Sequence, residues 1–294
     1  MSFISDHKRS CATLIGLAIG DAFGAPLEGF PAPRKMVTDM LPGGRHPRTK
    51  GEVTDDTLQA LAVAASLVTC RGFDPDDLIV RLVAAYQNNP QWFGPTSSAV
   101  FELVRSGVPP HEAAAVAHGQ LGSSRSNGSV MRGFPLGVFY APRSVGTFSI
   151  ACSRLTHYDM VAAHSSVWLN TMTSAMCRGS TREEAHRMAS ARCRNDEVFT
   201  MLADYKNHSP QPSLDALLCA HAALSCFMTS DSFEEALVTA VNLGGDADTV
   251  GACCGALAGA CWGMDAIPGR WVRDLVDYPR ISSVAHELAV AAED

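Results

Sequence analysis

Apolar positions recur with a helical period along most of the chain. Between residues 10 and 19, Cys11, Leu14, Ile15 and Ala18 fall at three- and four-residue intervals, and Leu58, Leu61, Ala62, Ala65 and Leu67 do so between 57 and 68. Asp74-Pro75-Asp76-Asp77 joins a capping side chain, a proline suited to the first helical position and acids that favour the positive helix end, so a helix starts there. Further helices are predicted over 97–106, 111–118, 159–178, 181–191, 213–228 and 233–241, the last opened by Ser232 ahead of Phe233-Glu234-Glu235. The uncharged stretch 249–263, rich in Gly, Ala and Cys, is shorter than the roughly 20 residues a membrane span needs and reads as a buried helix. Alternating β-branched runs exceed about four residues nowhere, and no solenoid repeat stands out.

Connections rich in Pro and Gly lie at 31–51, 87–96, 120–135 and 206–213, and none is a low-complexity linker. The expected architecture is therefore one compact, all-α domain over 1–294. The 31–51 loop, with Pro31, Pro33, Pro42, Gly43, Gly44 and Pro47, is long enough to serve as a functional lid.

Composition narrows the function. Hydrophobic residues make up 47% of the chain and charged residues 18%, enough apolar surface for a sizeable core. A net charge of −7 disfavours binding to a nucleic-acid backbone. None of the 10 Cys forms a C-x-x-C pair, and most sit among apolar neighbours, which reads as reduced core thiols. Met1 to Ser10 reaches its charges before any apolar run, so no signal peptide is expected and the expected location is cytoplasmic, with a monomer favoured.

Two acidic clusters carry the candidate chemistry. Thr54-Asp55-Asp56-Thr57 and Gly244-Gly245-Asp246-Ala247-Asp248-Thr249 each stand at the head of an apolar helix. Taken singly, each is equally well a helix cap. Taken together, four carboxylates converging on one pocket would repel one another unless hard divalent cations neutralise them, and oxygen ligands suit Mg²⁺, Mn²⁺ or Ca²⁺ rather than zinc. A third segment carries Gly16, Gly20 and Gly24 on one helix face, where they permit close approach of another helix. It also holds two acids, Asp21 and Glu28. Either can be a surface charge; Glu28, past the Gly-Ala-Pro break, is the better candidate for facing a cleft.

These blocks resemble the ADP-ribosylglycohydrolase family. The resemblance runs from about residue 10 to about 275. It rests on 16–24 with Glu28, Thr54-Asp55-Asp56-Thr57, Ser126-Asn127-Gly128-Ser129-Val130-Met131-Arg132, Thr156-His157 and Val241 to Gly251. It implies an orthogonal all-α fold and a centre of two divalent cations, Mg²⁺ or Mn²⁺, held by Thr54, Asp55, Asp56, Asp246, Asp248 and Thr249. The implied substrate is ADP-ribose joined through the anomeric carbon of its distal ribose to an acceptor, which water replaces. Glu28 or Asp56 would be the base.

The resemblance also implies substrate contacts from Gly94, Thr96, Asn127, Gly128, Ser129, Met131, His157, Gly244 and Gly245. For Asn127-Gly128-Ser129 a plain turn is the other reading, and for His157 a core or capping histidine. Arg132 would pair with phosphate or with a structural carboxylate. Trp92 and Phe93 would form a loop at the cleft mouth, or else brace the following helix. Arginine-directed members carry a carboxylate before the equivalent glycine loop, whereas Gln91-Trp92-Phe93-Gly94 has none, which counts against ADP-ribosylarginine as substrate. Tyr205 is a weak candidate for stacking on adenine. Two other functions fit the acidic clusters: a metal-dependent nucleotide pyrophosphohydrolase, and a non-catalytic ADP-ribose-binding relative.

Overall fold

The computed structural model describes residues 6–292. The absence of a secretion signal was read partly from residues 1–5, which lie outside the described residues. Among the described residues the architecture is all helical, with two isolated β-bridges, Pro31–Gly244 and Ser126–Asp215, and no strands. Buried apolar side chains from Ala12 to Leu288 form a connected core.

Local chemistry sets most helix starts. Asp74 caps Pro75–Asn88 by accepting from the backbone N–H groups of Asp76 and Asp77. Thr181 opens Arg182–Arg192 with a reciprocal capping box: Glu184 N–H donates to the threonine hydroxyl, and the Glu184 carboxylate accepts from the threonine N–H. The predicted helices over 97–106, 111–118, 159–178, 213–228 and 233–241 appear as Pro95–Arg105, Pro110–Leu121, Met160–Cys177, Ala216–Thr229 and Phe233–Val241. Short helices at Gly128–Met131 and Phe134–Phe139 interrupt the expected 120–135 loop. Val145–Arg154, Asp196–Ala203, Gly269–Asp274 and Tyr278–Ala291 are helices that the pattern had not marked.

The site is built around the contact between α1 (His7–Gly24) and α14 (Ala247–Trp262). Both helices are buried along nearly their whole length, so neither shows a strong polar face. Glycines let the two backbones touch. A Cβ on Gly16, Gly20 or Gly24 would lie 2.3, 2.0 or 2.2 Å from the carbonyl oxygen of Gly255, Gly251 or Ala247. The reciprocal glycines Gly251 and Gly255 are equally crowded by Gly20 and Gly16. This stripe sets Asp21 and Glu28, at the end of α1 and beyond, against Asp246 and Asp248 at the start of α14.

His7–Leu27 has the length and hydropathy of a membrane span, but 89% of that window is buried inside the protein, much of it against α14. All 10 cysteines are free thiols; seven are buried and only Cys70 is exposed.

Candidate active site

α2 (Asp55–Cys70) begins at Thr54, whose hydroxyl accepts from the Asp56 N–H. Asp21 orients this helix start. It is fully buried on α1, and its Oδ2 accepts from Thr54 N at 2.9 Å, Thr57 N at 3.1 Å and Thr57 Oγ1 at 2.5 Å. A surface charge was one expectation for Asp21, and the fold contradicts it: Asp21 is the buried acceptor that ties α2 to α1.

The second cluster starts α14. Asn127 Nδ2 donates to Asp246 Oδ2, and the Thr249 N–H donates to Asp248 Oδ1 at 3.0 Å. Oxygen atoms of Glu28, Asp246 and Asp248 lie within 4.8 Å of one another. Thr54, Asp55, Asp56, Asp246, Asp248 and Thr249 are all buried, yet all line one cleft together with Glu28.

This crowding has an electrostatic signature. Burial pushes the carboxyls of Asp55, Asp56 and Asp248 well above the ordinary range, and the neighbouring acids push them further. Burial is also the first cause at Asp246, where Glu28 adds to it and the Asn127 hydrogen bond opposes it; the carboxyl is raised to about 6. Asp56 Oδ1 is buried with no hydrogen-bond partner. An all-oxygen donor set with mutual repulsion and an orphaned carboxylate oxygen fits hard divalent cations. The residues in place therefore suit hard divalent cations of the kind that the resemblance implies.

A buried chain of polar groups supports Asp55. Gln59 Nε2 donates to Asp55 Oδ2 at 2.9 Å, and Arg132 Nη1 donates to Gln59 Oε1 at 3.1 Å. Arg132 Nη2 donates to the Cys152 carbonyl at 2.8 Å. Arg132 is fully buried, so neither sequence expectation for it holds: its partners are an amide and a carbonyl, not a phosphate or a carboxylate.

The substrate-side residues divide. Gly94, Asn127, Gly128 and Met131 line the cleft. Gly128 packs so closely that a Cβ there would be 3.1 Å from His157 Cε1 and 3.2 Å from Ser97 Oγ. Thr96, Ser129, His157, Gly244 and Gly245 are not among the lining residues. Ser129 Oγ accepts from Ser153 Oγ at 2.8 Å, inside the protein. His157 is buried between Thr156 Oγ1 at 2.7 Å and Ser126 Oγ at 2.9 Å, and burial holds it well below the ordinary imidazole range. Its route to the cleft is through Ser126, which also donates to Thr96 Oγ1.

Gly244 and Gly245 serve the backbone. Both have positive φ, and the Gly245 N–H donates to the Phe30 carbonyl at 2.7 Å while its own carbonyl accepts from Gly29 N at 2.6 Å. They pin the loop that carries Glu28. Tyr205 packs edge-on against His186, away from the cleft, so it offers no face for adenine.

His46, Arg48, Ser97 and Leu214, which the sequence did not single out, also line the cleft, together with Gln91 and Ser126 of the quoted motifs. His46 and Arg48 come from the 31–51 loop, and this loop is bonded down. Asn242 grips Val37 through both its backbone N–H and its carbonyl, and Arg270 pairs with Asp39 at 2.6 Å. Trp92 and Phe93 part company. Phe93 joins the core edge-on to Tyr86 and Phe101, whereas Trp92 lines the cleft beneath the Arg48 guanidinium, 4.9 Å from the ring centroid.

A profile of the ADP-ribosylglycohydrolase family matches residues 4–294. The chain belongs to the ADP-ribosylglycohydrolase family. It is 31% identical to an ADP-ribosylarginine hydrolase of Pseudomonas putida over 95% of this chain and 77% of the relative. It is also 31% identical to the ADP-ribosyl-[dinitrogen reductase] glycohydrolase of Rhodospirillum rubrum, over 92% of this chain and 91% of that protein. The solved structure of an ADP-ribosylglycohydrolase-related protein complex superposes with a TM-score of 0.85 at 32% identity, covering 98% of this chain and 99% of that one. The family assignment makes the chain a glycohydrolase acting on ADP-ribosyl bonds, on the all-α fold that the residue pattern predicted.

Proposed function

We propose that this family member hydrolyses the glycosidic bond between ADP-ribose and an acceptor, with two divalent cations, Mg²⁺ or Mn²⁺, held by Thr54, Asp55, Asp56, Asp246, Asp248 and Thr249. One observation carries the reading: acids from opposite ends of the chain line a single cleft with Glu28, and their crowding needs positive charge to relieve it. Such cations, when bound, polarise oxygen ligands and orient the distal ribose hydroxyls and a water.

The chain's own groups do the remainder. Glu28 is half-buried at the cleft, whereas Asp56 is buried and one of its carboxylate oxygens accepts from the Thr54 hydroxyl, which supports Glu28 as the base over Asp56. It takes a proton from water as the water oxygen bonds to the anomeric carbon. The bond from that carbon to the acceptor breaks, and the acceptor leaves with its electron pair and is protonated at the expense of the proton that Glu28 took from water, which restores the base. Nearby carboxylates stabilise the cation-like sugar that forms on the way. Asn127 and Gly128 border the part of the cleft suited to the diphosphate, and Ser126 links it to the buried His157.

The test is product analysis. Substrates with ADP-ribose joined to guanidine, acyl and phosphate groups are incubated with Mg²⁺ or Mn²⁺ and, in parallel, with a chelator. Metal-dependent release of free ADP-ribose supports the reading. AMP with ribose phosphate points to pyrophosphate cleavage, and absence of turnover with every substrate counts against hydrolysis.

A further inference from the structure

Arg48, like Asp56, brings to the cleft a buried polar atom that no protein group satisfies. It is 8% exposed, although its neighbours on both sides of the chain are exposed, and its guanidinium lines the cleft. Its backbone carbonyl accepts from Gly43 N at 3.0 Å, closing the tip of the 31–51 loop and fixing where the side chain starts. The Trp92 ring then fixes the plane of the guanidinium. Yet Arg48 Nη1 is buried with no hydrogen-bond partner.

A guanidinium does not shed its proton in a protein, and a buried N–H without an acceptor is costly. The acids of the cleft do not supply the acceptor: among the described residues, the arginine ion pairs are those of Arg81, Arg105, Arg125, Arg182, Arg270 and Arg280. The arrangement is a charged, planar donor held in place by an aromatic face, with part of its donor edge unsatisfied. That is the form of group that binds a carboxylate or phosphate.

Resting on the hydrolase reading above, we propose that Arg48, oriented by Trp92, is an oxyanion-binding subsite of the cleft, and that the substrate places a negatively charged oxygen group against it. The oxyanion comes either from the diphosphate of ADP-ribose or from a carboxylate or phosphate on the acceptor. In both cases the Trp92 face is occupied by the protein's own cation, and a cationic acceptor meets like charge there.

The experiment uses the full chain with Mn²⁺ and compares wild type, Arg48→Met and Arg48→Lys. Calorimetry gives the affinity for free ADP-ribose. Steady-state rates are taken on ADP-ribose linked to phosphate, to acetate and to agmatine. Melting temperatures check that the variants fold, and Arg48→Lys tests the charge if Arg48→Met does not fold.

If the acceptor supplies the oxyanion, Arg48→Met loses about 10- to 100-fold in kcat/KM on the phosphate-linked substrate, mostly through KM. It keeps its affinity for free ADP-ribose, and Arg48→Lys recovers part of the loss. If the diphosphate supplies it, free ADP-ribose binds that much more weakly and all three substrates suffer alike. Either pattern supports the subsite. Values within twofold of wild type for Arg48→Met on every ligand overturn it. Should wild type turn over none of the three substrates, the hydrolase reading fails, and binding of free ADP-ribose still decides the role of Arg48.

Discussion

Gly20 and Gly251 meet backbone to backbone: a Cβ on Gly20 would stand 2.0 Å from the Gly251 carbonyl oxygen. This contact lets the end of α1 and the start of α14 share one site. Gly20→Ala therefore forces the helices apart. The cost is expected near the upper end of the about 1–3 kcal/mol usual for overpacking, and the affinity for Mn²⁺ falls with it. Denaturant unfolding and calorimetry on the same preparation check both. A variant as stable as wild type with full metal affinity would remove the contact from the account.

Arg132 and Gln59 hold Asp55 without touching the cleft contents. Gln59→Leu takes away the amide that donates to Asp55 and leaves Arg132 short of an acceptor. We expect Mn²⁺ affinity to drop about 10- to 100-fold, the scale seen when groups behind a metal ligand are removed. Titration of Mn²⁺ monitored by electron paramagnetic resonance reads this directly.

Crowded carboxyls destabilise the metal-free protein at neutral pH. Their folded pKa values are raised above the unfolded value, so the folded state binds more protons, and stability rises as pH falls through the folded pKa values toward 3.8. Asp248→Asn removes one charge from the cluster. In the presence of chelator the variant should be more stable than wild type at pH 8, and the gap should narrow as the pH is lowered to 5. The lowered histidines, buried in both proteins, cancel in the comparison. With Mn²⁺ at pH 8 the order reverses. Melting curves across pH, with and without metal, show it.

Phe93 and Trp92 are neighbours with separate duties. Phe93→Ala opens a cavity among Tyr86 and Phe101 and is expected to cost about 3–5 kcal/mol in stability. Trp92→Ala loses a half-buried ring and costs far less stability, but frees the Arg48 guanidinium. Equal losses of stability in the two would contradict the division.

What was legible in the sequence was mostly local. Asp74 and Thr181 announce helix starts within four residues, and the Gly16, Gly20 and Gly24 stripe announces close helix contact. Gly128–Met131 and Phe134–Phe139 escaped because helices of one turn or so carry too few residues to show a period. The acids of the site were legible as motifs, though their convergence depends on α1 against α14, which no window of sequence contains. Ser129 and His157 belong to two separate motif blocks, and the chain path turns both side chains inward, while Gly244 and Gly245 answer a backbone requirement. Arg48 gave no signal, since its distinction is a missing partner and an aromatic neighbour 44 positions away.

On the proposed function, the acids at Asp55–Asp56 and Asp246–Asp248 form one cage for two hard cations. Counting bound Mn²⁺ by titration in wild type, Asp55→Asn, Asp248→Asn and, as a control at an unrelated helix start, Asp76→Asn tests it most directly. We expect two ions per chain in wild type and Asp76→Asn, with binding lost or weakened by orders of magnitude in the other two. No uptake by wild type, or uptake unchanged in Asp55→Asn and Asp248→Asn, would contradict it.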